Sequence, residues 1–281
     1  MPDTIIHTPS LDSETQSLLL ASIPGELIKR GGHFVLRHQA SVAREQLEIL
    51  RGQFSFDINT IPEKFVAADT ALLITDMDST LISIECVDEI ADFLGIKDQV
   101  AKITESAMRG EIDFNTSLQK RVKLLQGLDY DVLEKVYQQR LTLNPGAEKL
   151  IASLQQRGIK TALVSGGFTY FTERLKQRLK LDYTLSNTLE IDNGHLTGNI
   201  LGNIVNGDVK AGFLKKLATE MNIDLNRTIA MGDGANDLPM MKSAGLGVAY
   251  RAKPKVQQQA DVILNHAGLD AVLHFLPSDD I

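Results

Sequence analysis

Tryptophan is absent from this 281-residue chain, cysteine occurs once, and aromatic residues make up only 5%. The single cysteine, Cys86, excludes an intramolecular disulfide and leaves no cysteine cluster for a metal, so a small half-buried apolar role is expected for it. No apolar run approaches the ~20 residues that span a bilayer. The N-terminus, with Asp3 and His7 among polar residues, also lacks a basic stretch followed by an apolar one, so a cytoplasmic location and no membrane partner are expected. Blocks of Lys/Arg, or basic residues interleaved with aromatics, are missing too. With 29 basic against 36 acidic side chains and a formal charge of −7, nucleic acid is not an expected partner. What remains is ordinary for a soluble globular protein, 43% hydrophobic and 23% charged. The length suffices for a large α/β domain with an insertion, or a small domain followed by a medium one.

Residues 1–68 differ in character from the rest of the chain. They read as a helix around Leu18 to Lys29, a short strand near His33 to Leu36, a second helix near Val42 to Leu50, and a linker at Asn59-Thr60-Ile61-Pro62. An accessory α+β region of open role is the expectation, because no cluster of chemical side chains lies there. From about residue 69 to 281, short buried strands alternate with helical patterns: Leu72 to Thr75, Thr161 to Val164, Thr228 to Met231 and Leu246 to Ala249. This predicts an α/β fold with a Rossmann-like parallel sheet. About 85 residues separate the first two strands, far more than a crossover needs. A helical insertion over about 84–145 is therefore expected as a cap beside the sheet's carboxyl edge. Asn193-Gly194 predicts a small β-hairpin.

Four segments at strand ends carry chemistry. Asp76-Met77-Asp78 puts two carboxylates two residues apart after the first strand, suited to nucleophilic attack and proton handling. Ser165-Gly166-Gly167 offers a hydroxyl and backbone N–H groups at a strand-to-helix turn, a cradle for phosphate oxygens. Lys210, opening a helical stretch to Thr219, supplies a charge that can neutralise phosphate and carboxylate together. Gly232-Asp233-Gly234-Ala235-Asn236-Asp237 sets three oxygen-bearing side chains around two glycines, which favours Mg²⁺ over zinc. Each segment alone is also compatible with a plain turn or a solvated charge. Together they fall on one rim of one sheet.

In this order, D-x-D-S-T, S-G-G, a helix-start Lys and G-D-G-x-N-D resemble the haloacid dehalogenase-like hydrolases over about residues 70 to 270. The insertion, with Glu85-Cys86-Val87-Asp88-Glu89-Ile90, Glu105 to Gly110, Phe114 and Ser117 to Val122, is similar to the cap of that superfamily's phosphoserine phosphatase branch. The resemblance implies a Mg²⁺-dependent phosphatase acting on O-phosphoserine, the last step of serine biosynthesis. It makes Asp76 the nucleophile and Asp78 the general acid and base, with Mg²⁺ held by Asp76, Asp233 and the backbone carbonyl of Asp78. Ser165, the Gly166 N–H and Lys210 would bind phosphoryl oxygens, Asn236 and Asp237 would fix the metal loop or reach metal-bound water, and Asn236 would also belong to the substrate-binding set. Glu85 would receive the substrate ammonium and Arg121 its carboxylate, between walls of Met108 and Phe114. Cys86 stands where Thr is common, and Met77 where Phe is common. Some relatives carry a regulatory amino-acid-binding domain of the ACT type at the N-terminus, but its Gly-rich turn and full set of strands are not evident in residues 1–68. Other phosphomonoesters, phosphate transfer to homoserine, and a non-catalytic binding protein on this fold are the competing readings. The oligomeric state is left open, a homodimer among the options.

Overall fold

The computed structural model describes residues 3–108 and 111–277. Its first elements are β1 (Asp3–His7), α1 (Ser13–Ser22), β2 (Glu26–Arg30), β3 (His33–Arg37), α2 (Arg44–Gln53) and β4 (Asp57–Thr60). They form a four-stranded antiparallel sheet in the order β2-β3-β1-β4, a split βαβ arrangement. This corrects three expectations. The first helix stops at Ser22, where Ile23 leaves the helical region, and Leu27 and Ile28 continue as a strand paired with Leu36 and Val35. The linker expected at Asn59-Thr60 is the end of β4, paired with Ile5 and Thr4. The strands not evident in the sequence are therefore all present. Short strands here gain their stability from pairing partners far along the chain, which local patterns do not display.

The second sheet begins with β5 (Leu72–Thr75). After it the chain runs through α3 (Cys86–Phe93), α4 (Lys97–Met108), α5 (Phe114–Lys123), α6 (Asp131–Gln139) and α7 (Ala147–Gln156) to β6 (Lys160–Phe168), α8 (Thr169–Leu179), β7 (Tyr183–Asp192) and β8 (His195–Leu201). α9 (Gly207–Glu220), β9 (Thr228–Gly232), α10 (Leu238–Ser243), β10 (Leu246–Tyr250), α11 (Pro254–Gln257) and β11 (Val262–Leu264) complete it. The seven strands lie in the order β11-β10-β9-β5-β6-β7-β8, parallel except for the β7–β8 hairpin. Alternate residues feed two apolar layers: Leu73, Leu163 and Ile229 pack on one face, and Leu72, Ile74, Val164 and Ala230 on the other. Strands buried on both faces thus carry unbroken apolar runs. The expected α/β class and hairpin are both found, with Asn193 (φ 46°) and Gly194 (φ 82°) making the turn.

α3 to α6 form the helical insertion. An antiparallel bridge between Ile82 and Leu143 marks where the chain leaves and re-enters the core. The hairpin also holds this insertion: Gly127 N–H donates to Leu196 O (2.8 Å), Leu196 N–H to Leu128 O (2.8 Å) and Tyr130 N–H to Gly194 O (2.9 Å).

Side chains from β4 dock the N-terminal sheet on the edge strand β11. Asn59 donates to Ile263 O (2.8 Å) and accepts from Ile263 N–H (2.7 Å). The Asp57 carboxylate accepts N–H groups from Asn265 (2.8 Å), His266 (3.0 Å) and Ala267 (2.8 Å). Beside them the Nδ1 atoms of His7 and His274 lie 3.0 Å apart, and the His33 ring stacks on His274 with centroids at 4.1 Å. One imidazole of the first pair must donate and the other accept, so the contact is lost when both carry a second proton. Burial first, then the neighbouring histidines, hold His7 well below the ordinary imidazole range and His274 at about 4. The unfolded chain then binds protons that the folded one refuses between about pH 6.5 and 4, and the seam loses stability as pH falls through that window. Replacing His274 by Gln should flatten this dependence. A melting-temperature gap between parent and His274→Gln that stays constant from pH 7 to pH 4 would rule out the histidine seam as the cause.

Candidate active site

The site is built where β5, β6 and β9 end. Asp76 N–H still donates to Met231 O (2.9 Å), so the sheet ladder fixes the first carboxylate, which is 5% exposed. The chain then takes one wide helical turn over Met77–Leu81, with Ser79 in the left-handed region at φ 56°. A non-glycine there costs on the order of 1 kcal/mol, and the conformation lets the Ser79 hydroxyl donate to Glu85 Oε1 (2.7 Å). Asp78 Oδ1 accepts the N–H of Cys86 (2.9 Å), the first residue of α3, which links the second carboxylate to the insertion. Burial, then the nearby Glu85 carboxylate, push Asp78 up to about 7, against the Cys86 N–H. A carboxyl that titrates near neutrality is suited to give and take a proton. Cys86 itself is completely buried.

Ser165 is 1% exposed and its Oγ accepts the Gly167 N–H (2.8 Å). The expected turn after Val164 is instead a continuation of β6 through Phe168, with a register irregularity against β7. The two glycines are needed for close approach. A Cβ on Gly166 would sit 2.7 Å from Phe114 Cζ, and one on Gly167 would lie 2.7 Å from Met77 Cε and 2.8 Å from Asp78 Oδ2. Asn187, buried and unanticipated, clamps this segment by donating to Gly166 O (2.8 Å) and accepting the Val205 N–H (2.8 Å).

Lys210 lies in the first turn of α9, whose start is Gly207 rather than Lys210 because Asn206 caps it by accepting the Val209 N–H (3.1 Å). The Lys210 side chain is 0% exposed, and its Nζ donates to Asp76 Oδ1 (2.6 Å) and Asp237 Oδ1 (2.7 Å). Burial opposes its charge, but the two carboxylates outweigh that and hold it protonated above the usual lysine range. Lys210 therefore lies behind the cavity wall, in contact with the nucleophile candidate. Asp237 Oδ2 also accepts the Gly234 N–H (3.0 Å), so this residue ties the loop after β9 to the lysine. Asp233, pushed up to about 7 by burial and then by Asp237, accepts a long bond from the Thr80 hydroxyl at 3.4 Å.

These groups surround one cavity of about 440 Å³. Asp76, Asp78, Ser165, Gly166, Asp233 and Asn236 line its floor side, and Glu85, Phe114 and Arg121 come to it from the insertion. Arg121 Nε is buried and has no hydrogen-bond partner among the described residues. The Met108 side chain falls outside the described residues. Lys253, which no motif singled out, also lines the cavity. A more open hollow of about 460 Å³ at Leu141–Lys149 and Arg178 contains none of the motif residues.

One carboxylate oxygen each from Asp76, Asp233 and Asp237 lies within 4.8 Å of the others. The donors are hard oxygens with no thiolate or imidazole, which fits a hard divalent cation. Both Asp237 oxygens are engaged by Lys210 and Gly234, whereas Asp76 and Asp233 face the cavity, so these two would hold the ion.

The crowding at Gly167 gives a direct check. Gly167→Ala should displace Asp78 and lower kcat at least about tenfold, since misplacing a reacting group by about 1 Å costs about a hundredfold. A variant with parent-like kcat would show that Asp78 needs no such close fit.

The family model for haloacid dehalogenase-like hydrolases matches residues 73–242. A phosphoserine phosphatase of Polaromonas sp. is 50% identical over 224 residues, covering 78% of this chain and 95% of the relative. A probable phosphoserine phosphatase from Vibrio cholerae, solved unliganded, superposes with a TM-score of 0.83 at 40% identity, covering 98% of this chain and 86% of that one. A HAD family hydrolase from Salmonella enterica serovar Typhi reaches a TM-score of 0.90 at 38% identity, covering 100% and 99%. The carboxylates, glycine cradle and lysine thus stand on a shared scaffold, and the chain belongs to the haloacid dehalogenase-like hydrolases, in the branch of the phosphoserine phosphatases.

Proposed function

We propose that the protein is a Mg²⁺-dependent phosphatase that hydrolyses O-phospho-L-serine to L-serine and phosphate, the last step of serine biosynthesis. One observation carries this reading: a single cavity joins Asp76, Asp78 and Ser165 to a pair of groups complementary to an amino acid, the Glu85 carboxylate and the Arg121 guanidinium. O-phosphoserine brings an ammonium and a carboxylate to match them. The comparison with named phosphoserine phosphatases supports the same substrate.

In the first step the Asp76 carboxylate attacks phosphorus, the P–O bond to serine breaks, and Asp78 gives its proton to the departing oxygen. In the second, Asp78 takes a proton from water, which attacks phosphorus and breaks the acyl-phosphate bond to release phosphate. Lys210 orients Asp76 and offsets its charge, while Ser165 and the Gly166 N–H receive the equatorial oxygens. Mg²⁺ held by Asp76, Asp233 and the Asp78 carbonyl would supply charge neutralisation at the phosphoryl group. Glu85 and Arg121 grip the amino-acid end, with Phe114 excluding water beside it.

The decisive experiment measures phosphate release from O-phospho-L-serine with Mg²⁺ and then with EDTA; turnover that survives EDTA would overturn metal dependence. Asp76→Asn should abolish turnover while the fold persists, and near-parent rates would remove Asp76 from the nucleophile's place. Arg121→Ala should raise KM for phosphoserine about a hundredfold, the cost of an unpaired charged group, but hardly alter hydrolysis of p-nitrophenyl phosphate, which lacks a carboxylate. Equal effects on the two substrates would sink the clamp.

A further inference from the structure

Lys253 follows β10 and caps the start of α11. Its carbonyl accepts the N–H groups of Val256 (2.8 Å) and Gln257 (3.0 Å), Pro254 follows it, and its own N–H donates to Asp233 O (3.3 Å). The backbone is thus fixed against the loop that carries Asp233. The side chain, in contrast, is exposed and borders the cavity. The distribution of charge around that cavity is one-sided. Asp76, Asp78, Glu85 and Asp233 face it, against Arg121 and Lys253 as the basic side chains that line it among the described residues. The Lys210 ammonium, buried between Asp76 and Asp237, offsets charge at the floor, as a divalent cation on Asp76 and Asp233 would, but it does not face the approaching substrate. Arg121 is set among Asp88, Glu85 and Asp78. Lys253 acts on Glu85 and Asp233 from the solvent side. A phosphate monoester approaching from water therefore passes carboxylates on its way in and, among the described residues, meets Lys253 as an exposed cation on a flexible stem.

We propose that Lys253 is a phosphate-capturing residue at the cavity mouth, whose ammonium contacts the doubly negative phosphate of the incoming substrate and draws it past the carboxylates. This rests on the phosphatase reading of the cavity. A hydrated point charge on a flexible stem suits capture and release better than a rigid fork. The lysine recognises phosphate and not the amino acid, so its effect extends to any phosphomonoester, unlike that of Arg121. Because it is electrostatic and exposed, the effect is screened by salt.

The test compares Lys253→Ala, Lys253→Glu and Lys253→Arg with the parent, using phosphoserine and p-nitrophenyl phosphate at low and high salt. Calorimetric titration with inorganic phosphate supplies an equilibrium readout beside turnover. At low salt, Lys253→Ala should lose about five- to twentyfold in kcat/KM on both substrates, chiefly through KM, and weaken phosphate binding in parallel. Lys253→Glu should lose more, Lys253→Arg should stay within about twofold, and the gap should shrink to about twofold at about 0.5 M salt. A Lys253→Ala variant with parent-like kcat/KM and phosphate affinity at low salt overturns the proposal, as does a loss of equal size at every salt concentration. If phosphoserine is not turned over but p-nitrophenyl phosphate shows this pattern, the substrate assignment fails and the role of Lys253 stands.

Discussion

Three side chains from distant parts of the chain meet in the interior: the ammonium of Lys210 sits between the carboxylates of Asp76 and Asp237. Taking these charges out of water is costly, and they persist only because each satisfies another. The contact ties the end of β5, the first turn of α9 and the loop after β9 into one unit, which fixes where the nucleophile candidate points. One positive and two negative charges leave the group net negative. Asp233 adds a further carboxylate at its edge, which makes a set of hard oxygen donors that a divalent cation would complete.

The two aspartates of the first motif have been given different surroundings. Asp76 is braced by an ammonium, whereas Asp78 has a backbone N–H from α3 and the Glu85 carboxylate nearby. In the proposed mechanism that difference separates attack from proton transfer in a pair only two residues apart. It also joins chemistry to the helical insertion, because the donor to Asp78 is the insertion's first helical residue. Asn206 reaches the insertion as well, donating to Asn115 Oδ1 (3.2 Å), and the β7–β8 hairpin pairs with the segment 127–130. Any opening of the insertion must pivot about these attachments.

Much of this was readable from residue order. Buried parallel strands have apolar runs and end in Gly, Ser or Asp, so β5, β6, β9 and β10 announced themselves, and with them the places where Asp76, Ser165 and Asp233 emerge. Lys210 was found as a helix-start cation, but not its complete burial, since only the packed structure tells whether a lysine has two carboxylates waiting. Asn187 and Lys253 belong to no motif; each matters through partners more than fifteen positions away. The N-terminal sheet was the hardest part, because β1, β2 and β4 are short and their pairing is long-range. Positive φ at Ser79 was hidden for a related reason, as a serine there is retained by its contact with Glu85 and not by intrinsic preference.

The amide of Asn59 occupies both hydrogen-bonding groups of Ile263 on the last strand of the large sheet. An uncovered outer strand is a template on which other chains can stack. The small sheet thereby works as a stopper for the catalytic one, closing the margin along which copies could polymerise. A shortened version without that stopper would have to guard the margin with charged or proline residues of its own.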